Sequence, residues 1–190
     1  MKMTNKMIDL DPMMTKREFL KKGGVALSCA ALSSMSTVAS SMSHAKSMSE
    51  DQIVRMGLVE GIKALRSGRL SCIDYNNACL KQYEKFQDYN IFAQVSYYYI
   101  EKAAAAIDEK RRSSAAIGAL QGLPYALKDS IDIVEYYTIA GHESLRTFEP
   151  LIDSDLATVY KQGDAVCLGK TQLPPLSAWY ATENPMTGNT

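Results

Sequence analysis

The sequence predicts an α/β protein, a sheet covered by helices, on three observations. Paired amphipathic helical stretches come early, an alternating stretch lies near residue 130, and a further helix then runs into a short apolar strand. Taking the elements in order, Ile53, Met56, Val59, Ile62 and Leu65 recur at helical spacing behind the candidate caps Ser47 and Ser49, and Ser67-Gly68 supplies a stop. Ser71, followed three residues later by Asp74, has the form of a capping box. Cys72, Asn76, Cys79, Leu80, Tyr83 and Phe86 then share one face of a second helix.

Ile91 to Val95 reads as a short strand, and the alanine-rich run from Tyr97 to Lys110 as a helix. Arg111 to Gln121 is polar and bounded by glycines, hence a loop. From Tyr125 to Val134 the residues alternate, with Leu127, Ile131 and Ile133 on one side and Lys128, Ser130 and Asp132 on the other; this predicts a strand with one polar face. Asp153-Ser154-Asp155 caps a helix to Gln162 that stops at Gly163, and Ala165 to Leu168 forms a short apolar strand. The remainder, from Pro174 to Thr190, is loop-like, and no internal repeat is present.

The chain of 190 residues suits one domain plus a leader. Its 21 basic residues balance 21 acidic ones, which argues against nucleic acid as a partner. Tyr97, Tyr98 and Tyr99 have no basic surroundings, so they divide between core and surface rather than forming a stacking platform. The four cysteines form no CxxC pair and the two histidines no cluster, so neither a metal nor a cofactor is indicated. Cys72 and Cys79, two helical turns apart, are expected as buried thiols rather than a bridge.

Residues 1–45 read as a signal peptide and residues 46–190 as the mature domain. Lys16, Arg17, Lys21 and Lys22 precede an uncharged stretch from Gly23 and a serine-rich tract ending Ser43-His44-Ala45, the order of a secretory leader cleaved after Ala45. Thr15 to Lys21 resembles the twin-arginine export consensus, with Lys16 in the place of the first arginine. The stretch is too weakly apolar for a stable membrane span, which needs about 20 predominantly apolar residues. A periplasmic or secreted protein is therefore expected. Ala26-Leu27-Ser28-Cys29 loosely resembles a lipoprotein processing box, a second route that would lipidate Cys29.

Three ordered motifs carry the chemistry. Gly122-Leu123-Pro124-Tyr125-Ala126-Leu127-Lys128-Asp129-Ser130-Ile131-Asp132 resembles the strand of amidase-signature enzymes that reads Gly-x-Pro-x-x-x-Lys-Asp-x-x-Asp. Thr138-x-Ala140-Gly141 matches that family's following loop, and Gly169-Lys170-Thr171-x-Leu173-Pro174 its next strand and turn. The resemblance covers roughly Met48 to Thr190. It implies the N-terminal part of an amidase-signature fold, a mixed sheet covered by helices, acting on a small-molecule amide without a cofactor.

In that family a serine attacks the amide carbonyl, a second serine joined by a cis peptide relays the proton, and a lysine accepts it. By motif position Lys128 is that lysine. The role requires a neutral amine near pH 7, which burial and hydrogen-bond donors provide by lowering a lysine pKa from about 10.4. Asp129 and Asp132 are expected as turn or cap residues, because a carboxylate paired with Lys128 would hold it charged. Lys170 resembles the tail of a phosphate-binding loop, but Asp164 stands where that loop needs glycine, so its replacement is expected to change stability only modestly.

His142 and His44 are the only histidines, and no Gly-x-Ser-x-Gly elbow occurs, which excludes a Ser-His-Asp triad of that kind. Gln172 and Pro175 depart from the Asn and Glu common in the family. Nothing like Gly-Gly-Ser-Ser-Gly-Gly is present, so the chain is expected to stop before the nucleophile and to be inactive alone. The competing expectation is a non-catalytic exported binding protein, or the truncated remnant of an amidase.

Overall fold

The computed structural model describes residues 48–190, so the expected leader, with Cys29 and Ser47, lies outside the described residues. The first expected helix is two. Ser49 caps α1 (Glu50–Val54), its hydroxyl accepting from the Gln52 amide while the Gln52 side chain accepts from the Ser49 amide at 2.9 Å. The chain then straightens at Gly57, which caps α2 (Leu58–Arg66) without a side chain. This restart rotates the apolar stripe: Ile53 and Leu65 are buried, whereas Leu58 and Val59 face solvent.

Ser71 caps α3 (Cys72–Lys85) through a 2.9 Å bond from the Asp74 amide. Asp108, on α4 (Tyr97–Arg112), satisfies two more of its free amides, those of Cys72 at 2.9 Å and Ile73 at 3.0 Å. A long-range carboxylate thus fixes the packing of α3 on α4. Cys72, Tyr75, Leu80, Ile100, Ala104 and Ile107 form the core between them, joined by Leu65 and Val166.

The sheet has three strands, β1 (Phe92–Gln94), β2 (Pro124–Lys128) and β3 (Val166–Thr171), in the order β1-β3-β2. It is mixed: β3 runs antiparallel to β1 and parallel to β2. The strand expected to reach Val134 ends at Lys128, where the Ile131 amide bonds back to the Lys128 carbonyl at 3.0 Å and turns the chain. Ile133 is still buried, with Leu127, Tyr136 and Ala157, in a second apolar cluster. Conversely β3 outruns its expected end at Leu168, because Lys170 and Thr171 find partners on both neighbours. Gly169 permits this, since a Cβ there would collide with the Gln94 carbonyl.

Asp155–Gln162 is α5, capped by Ser154. The Ser154 amide and hydroxyl both donate to the Asp132 carbonyl, at 3.0 and 2.9 Å, so the turn after β2 anchors the start of α5. Cys72, Cys79 and Cys167 are free thiols, and burial raises Cys72 to about 12 and the other two to about 11, which makes them poor nucleophiles. Among the described residues no helix is long and apolar enough to cross a membrane.

Candidate active site

Alternation along β2 and the residues just beyond it sorts the signature side chains onto opposite faces. Leu127 and Asp129 are buried, at 2% and 1% exposure, while Ala126, Lys128 and Ser130 are exposed. The Lys128 side chain has no hydrogen bond or ion pair among the described residues, and its strand neighbour is Thr171. The desolvation that its expected role requires is therefore not supplied by residues 48–190.

The buried face is built around the other lysine. Lys170 pairs in register with Leu127 and is wholly shielded from solvent. Its Nζ donates to the Tyr137 carbonyl at 3.2 Å and to Thr138 Oγ1 at 3.5 Å, and stands 3.5 Å from Asp129 Oδ1. Gln94, at the end of β1, donates to Asp129 Oδ1 at 2.8 Å. It also grips both backbone groups of Tyr137, donating to the carbonyl at 3.0 Å and accepting from the amide at 3.1 Å. Asp129 Oδ2 is left without a hydrogen-bond partner of good geometry.

Burial pushes the Asp129 carboxyl up, to about 6, against the opposing pull of Lys170 and the Ile139 and Gly141 amides. Burial likewise lowers Lys170, against the attraction of Asp129. Asp129 stands in the turn after β2, as expected, and is in addition a buried ion partner. One expectation is corrected here: Lys170 is a member of the core rather than a side chain of modest structural weight.

Loop residues 138–141 close over this pair. The Ala140 amide donates to the Asp129 carbonyl at 3.1 Å, and the Ala140 carbonyl accepts from Leu176 at 2.8 Å. Gly141, at φ +63°, leaves room for Asn184, whose side-chain amide donates to the Gly141 carbonyl at 3.0 Å and to the Leu173 carbonyl at 2.9 Å. All three signature motifs, far apart in sequence, thus meet in one buried polar network. Gln172 is bonded at both ends of its side chain, by Thr187 Oγ1 at 2.7 Å and to Asn90 at 3.2 Å, so the departure at that position is locally accommodated.

His142 binds only locally: its Nδ1 lies 2.8 Å from Ser144 Oγ and accepts from the Ser144 amide, capping the turn Glu143–Leu145. Gln94 and Asn184 were not legible as members of the site. A polar residue closing the apolar run Ile91 to Val95 is a faint signal for Gln94; Asn184 sits in a stretch with none.

A mixed sheet carrying a sealed lysine–aspartate pair on one face and an open lysine on the other defines the class of fold and site. The family model for amidases matches residues 74–190, and the chain belongs to the amidase family. A glutamyl-tRNA(Gln) amidotransferase subunit from Streptomyces avermitilis is 30% identical over 139 residues, covering 73% of this chain and 28% of that protein. The chain thus spans a little over a quarter of the length of the curated relatives that it matches. A crystal structure of an amidase is 27% identical, with a TM-score of 0.65 over 70% of this chain and 31% of that one. The peptide amidase from Stenotrophomonas maltophilia, 24% identical, shares the fold at a TM-score of 0.66 over 72% of this chain and 29% of that one.

Proposed function

We propose that the protein to which this chain contributes hydrolyses the carbon–nitrogen bond of a small carboxylic amide, with Lys128 as the general base. The observation that carries the reading is the separation of the two lysines. Asp129, the carboxylate next to Lys128 in sequence, is turned to the opposite face and matched by Lys170, so Lys128 has no counter-ion to hold it charged. A base must give up its proton near neutral pH, and a lysine free of a carboxylate partner can do so once its face is covered.

In this reading a serine nucleophile and a relay serine, carried by a segment whose motif is absent from residues 1–190, approach the open face at the end of β2. The relay serine passes the proton of the nucleophile to Lys128, which returns it to the leaving amine. Residues 46–190 alone turn over no amide above background, because a base cannot replace a missing nucleophile and oxyanion hole. Residues 1–45 act as an export leader, which N-terminal sequencing of exported material beginning at residue 46 would support and an intact residue 1 would oppose.

The deciding experiment joins this chain to a segment bearing the serine pair and follows ammonia release from a simple amide. Lys128→Ala should lower turnover by roughly 10²- to 10⁴-fold, and Lys128→Arg nearly as much, since arginine keeps the charge but cannot release its proton. Near-normal turnover by Lys128→Arg would remove Lys128 from the base role. The names of the amidotransferase relatives raise transfer of ammonia as the other outcome; release of free ammonia without an acceptor separates the two.

A further inference from the structure

Residues 184–190, built round a turn, are tied to the end of β3 from two sides. Asn184 is buried, and its side-chain amide donates to the Leu173 carbonyl at 2.9 Å and to the Gly141 carbonyl at 3.0 Å. Its Oδ1 accepts from the Met186 amide at 2.9 Å and from the Thr187 amide at 3.3 Å, and its carbonyl accepts from the Gly188 amide at 2.8 Å. On the other side the Thr187 hydroxyl donates to Gln172 Oε1 at 2.7 Å. Asn90 closes the clamp. Its side-chain amide donates to the Thr187 carbonyl at 2.9 Å and to the Asn189 carbonyl at 3.2 Å, and its own carbonyl accepts from Thr190 Oγ1 at 3.0 Å.

An irregular segment at the surface ordinarily leaves its backbone groups to water. Here Asn184 satisfies them from inside the protein and Thr187 fastens the same segment to Gln172, so the turn has one place against the sheet. That place adjoins Lys128. Thr171, the last residue of β3, is the register partner of Lys128, and Gln172 and Leu173 follow it directly. Thr190 is thereby held in fixed relation to the end of the sheet that carries the open lysine.

In the joined protein described above, the serine-bearing segment is attached at Thr190. We propose, resting on that reading of the function, that Asn184 and Thr187 are positioning residues for amide hydrolysis: they fix the point from which the serine-bearing segment sets out relative to Lys128. Neither touches the reacting atoms. Proton transfer between a serine and a lysine tolerates little displacement, and about 1 Å of misplacement caused far from the chemistry can cost about 10²-fold in rate.

The test uses the joined protein, with ammonia release followed over a range of amide concentrations. Asn184→Asp keeps the shape and the acceptor but loses both donors, and should lower kcat by about 10²-fold with KM little changed. Thr187→Val removes only the hydroxyl and should lower kcat by about tenfold, whereas Thr187→Ser keeps the hydroxyl and the rate with it. If Asn184→Asp fails to fold, the two Thr187 variants decide. In the 190-residue chain without the attached segment, the Gly188 and Thr190 amides, bonded to the Asn184 and Thr182 carbonyls, should exchange slowly. They should lose that protection in Thr187→Val while β3 keeps its own. Unchanged kcat in Thr187→Val, a Thr187→Ser variant as slow as Thr187→Val, a loss carried by KM alone, or unprotected Gly188 and Thr190 amides in the parent chain would each overturn the proposal. Lys128→Ala separates it from the function itself. Turnover insensitive to Lys128→Ala yet lowered by Thr187→Val would remove the base and keep the two positioning residues, and a joined protein without turnover would overturn both.

Discussion

Lys170 Nζ stands 3.5 Å from Asp129 Oδ1 with both side chains sealed from solvent, and this pair is the hinge between the sequence motifs and the fold. Removing one partner strands the other charge in the interior. Lys170→Met should therefore cost about 3–5 kcal/mol, measured as the change in urea unfolding free energy. The double variant Lys170→Met with Asp129→Leu should recover much of that loss, because replacing both members by apolar groups removes the orphan charge. A double variant no more stable than the single one would show that the network around Gln94 and Thr138, rather than the charge pair, dominates.

The pH dependence follows from the same burial. Asp129 titrates near 6 in the folded chain, above its ordinary 3.8, so the native state binds the proton more tightly than the unfolded chain does. Its contribution to stability is thus fully present below pH about 4 and is lost as pH rises through about 6. Carbon-13 NMR of the Asp129 carboxyl should place its midpoint near 6. A midpoint at or below about 4, the ordinary aspartate value, would mean that Lys170 outweighs desolvation.

Gly169→Ala should separate β1 from β3. The added methyl group meets the Gln94 backbone carbonyl rather than a flexible side-chain end, so the strands must part. Overpacking of this kind costs about 1–3 kcal/mol. Amide exchange should accelerate first at Gln172, whose N–H bonds to the Ile91 carbonyl at 2.9 Å beyond the end of β1. Unchanged protection there would contradict this account of the glycine.

Lys128→Ala should leave the stability of this chain within about 0.5 kcal/mol, since an exposed side chain without partners contributes little. Adjacent positions in the same motif, Lys128 and Asp129, are thereby predicted to behave in opposite ways. Chemical denaturation of Lys128→Ala beside Asp129→Leu reads this directly.

Much of the fold was legible because local chemistry and tertiary structure agree. Ser71, Ser96 and Ser154 each cap a helix in the structure, and apolar periodicity placed α3, alanine-rich propensity α4, and the cap and glycine stop α5, each within a few residues. Periodicity misled where it outlasted the element. The alternation after Lys128 continues through a turn, because Ile133 is buried by the second cluster rather than by a strand partner. It also hid the break at Gly57, where the apolar spacing spans two helices.

Within the candidate site, the motifs picked out segments that the fold brings together, but not the contacts of their members. A charged residue in sequence does not disclose which face of a strand it will occupy or which distant charge will meet it. Lys170 read as a residue of small structural weight, and the turn reading of Asp129 left out its ion partner, because the two are brought together only by the register Leu127 to Lys170. Gln94 and Asn184 act through backbone groups remote in sequence, and such contacts leave no local pattern.

The strand order has a consequence for synthesis. β3 lies between β1 and β2 yet is the last of the three to be translated, so the two earlier strands emerge from the ribosome with the middle place empty. Asp129 emerges with them, well ahead of Lys170. Until β3 arrives, burying that carboxylate would carry its full desolvation penalty with no cation to oppose it, so early docking of β2 against the helices is discouraged. The arrival of Val166 to Thr171 supplies strand pairing to both neighbours and the missing positive charge in a single stretch of chain. Sheet closure and charge neutralisation are thus expected to be one late kinetic event, and stalling translation before Val166 should leave the nascent chain open to proteolysis around β2.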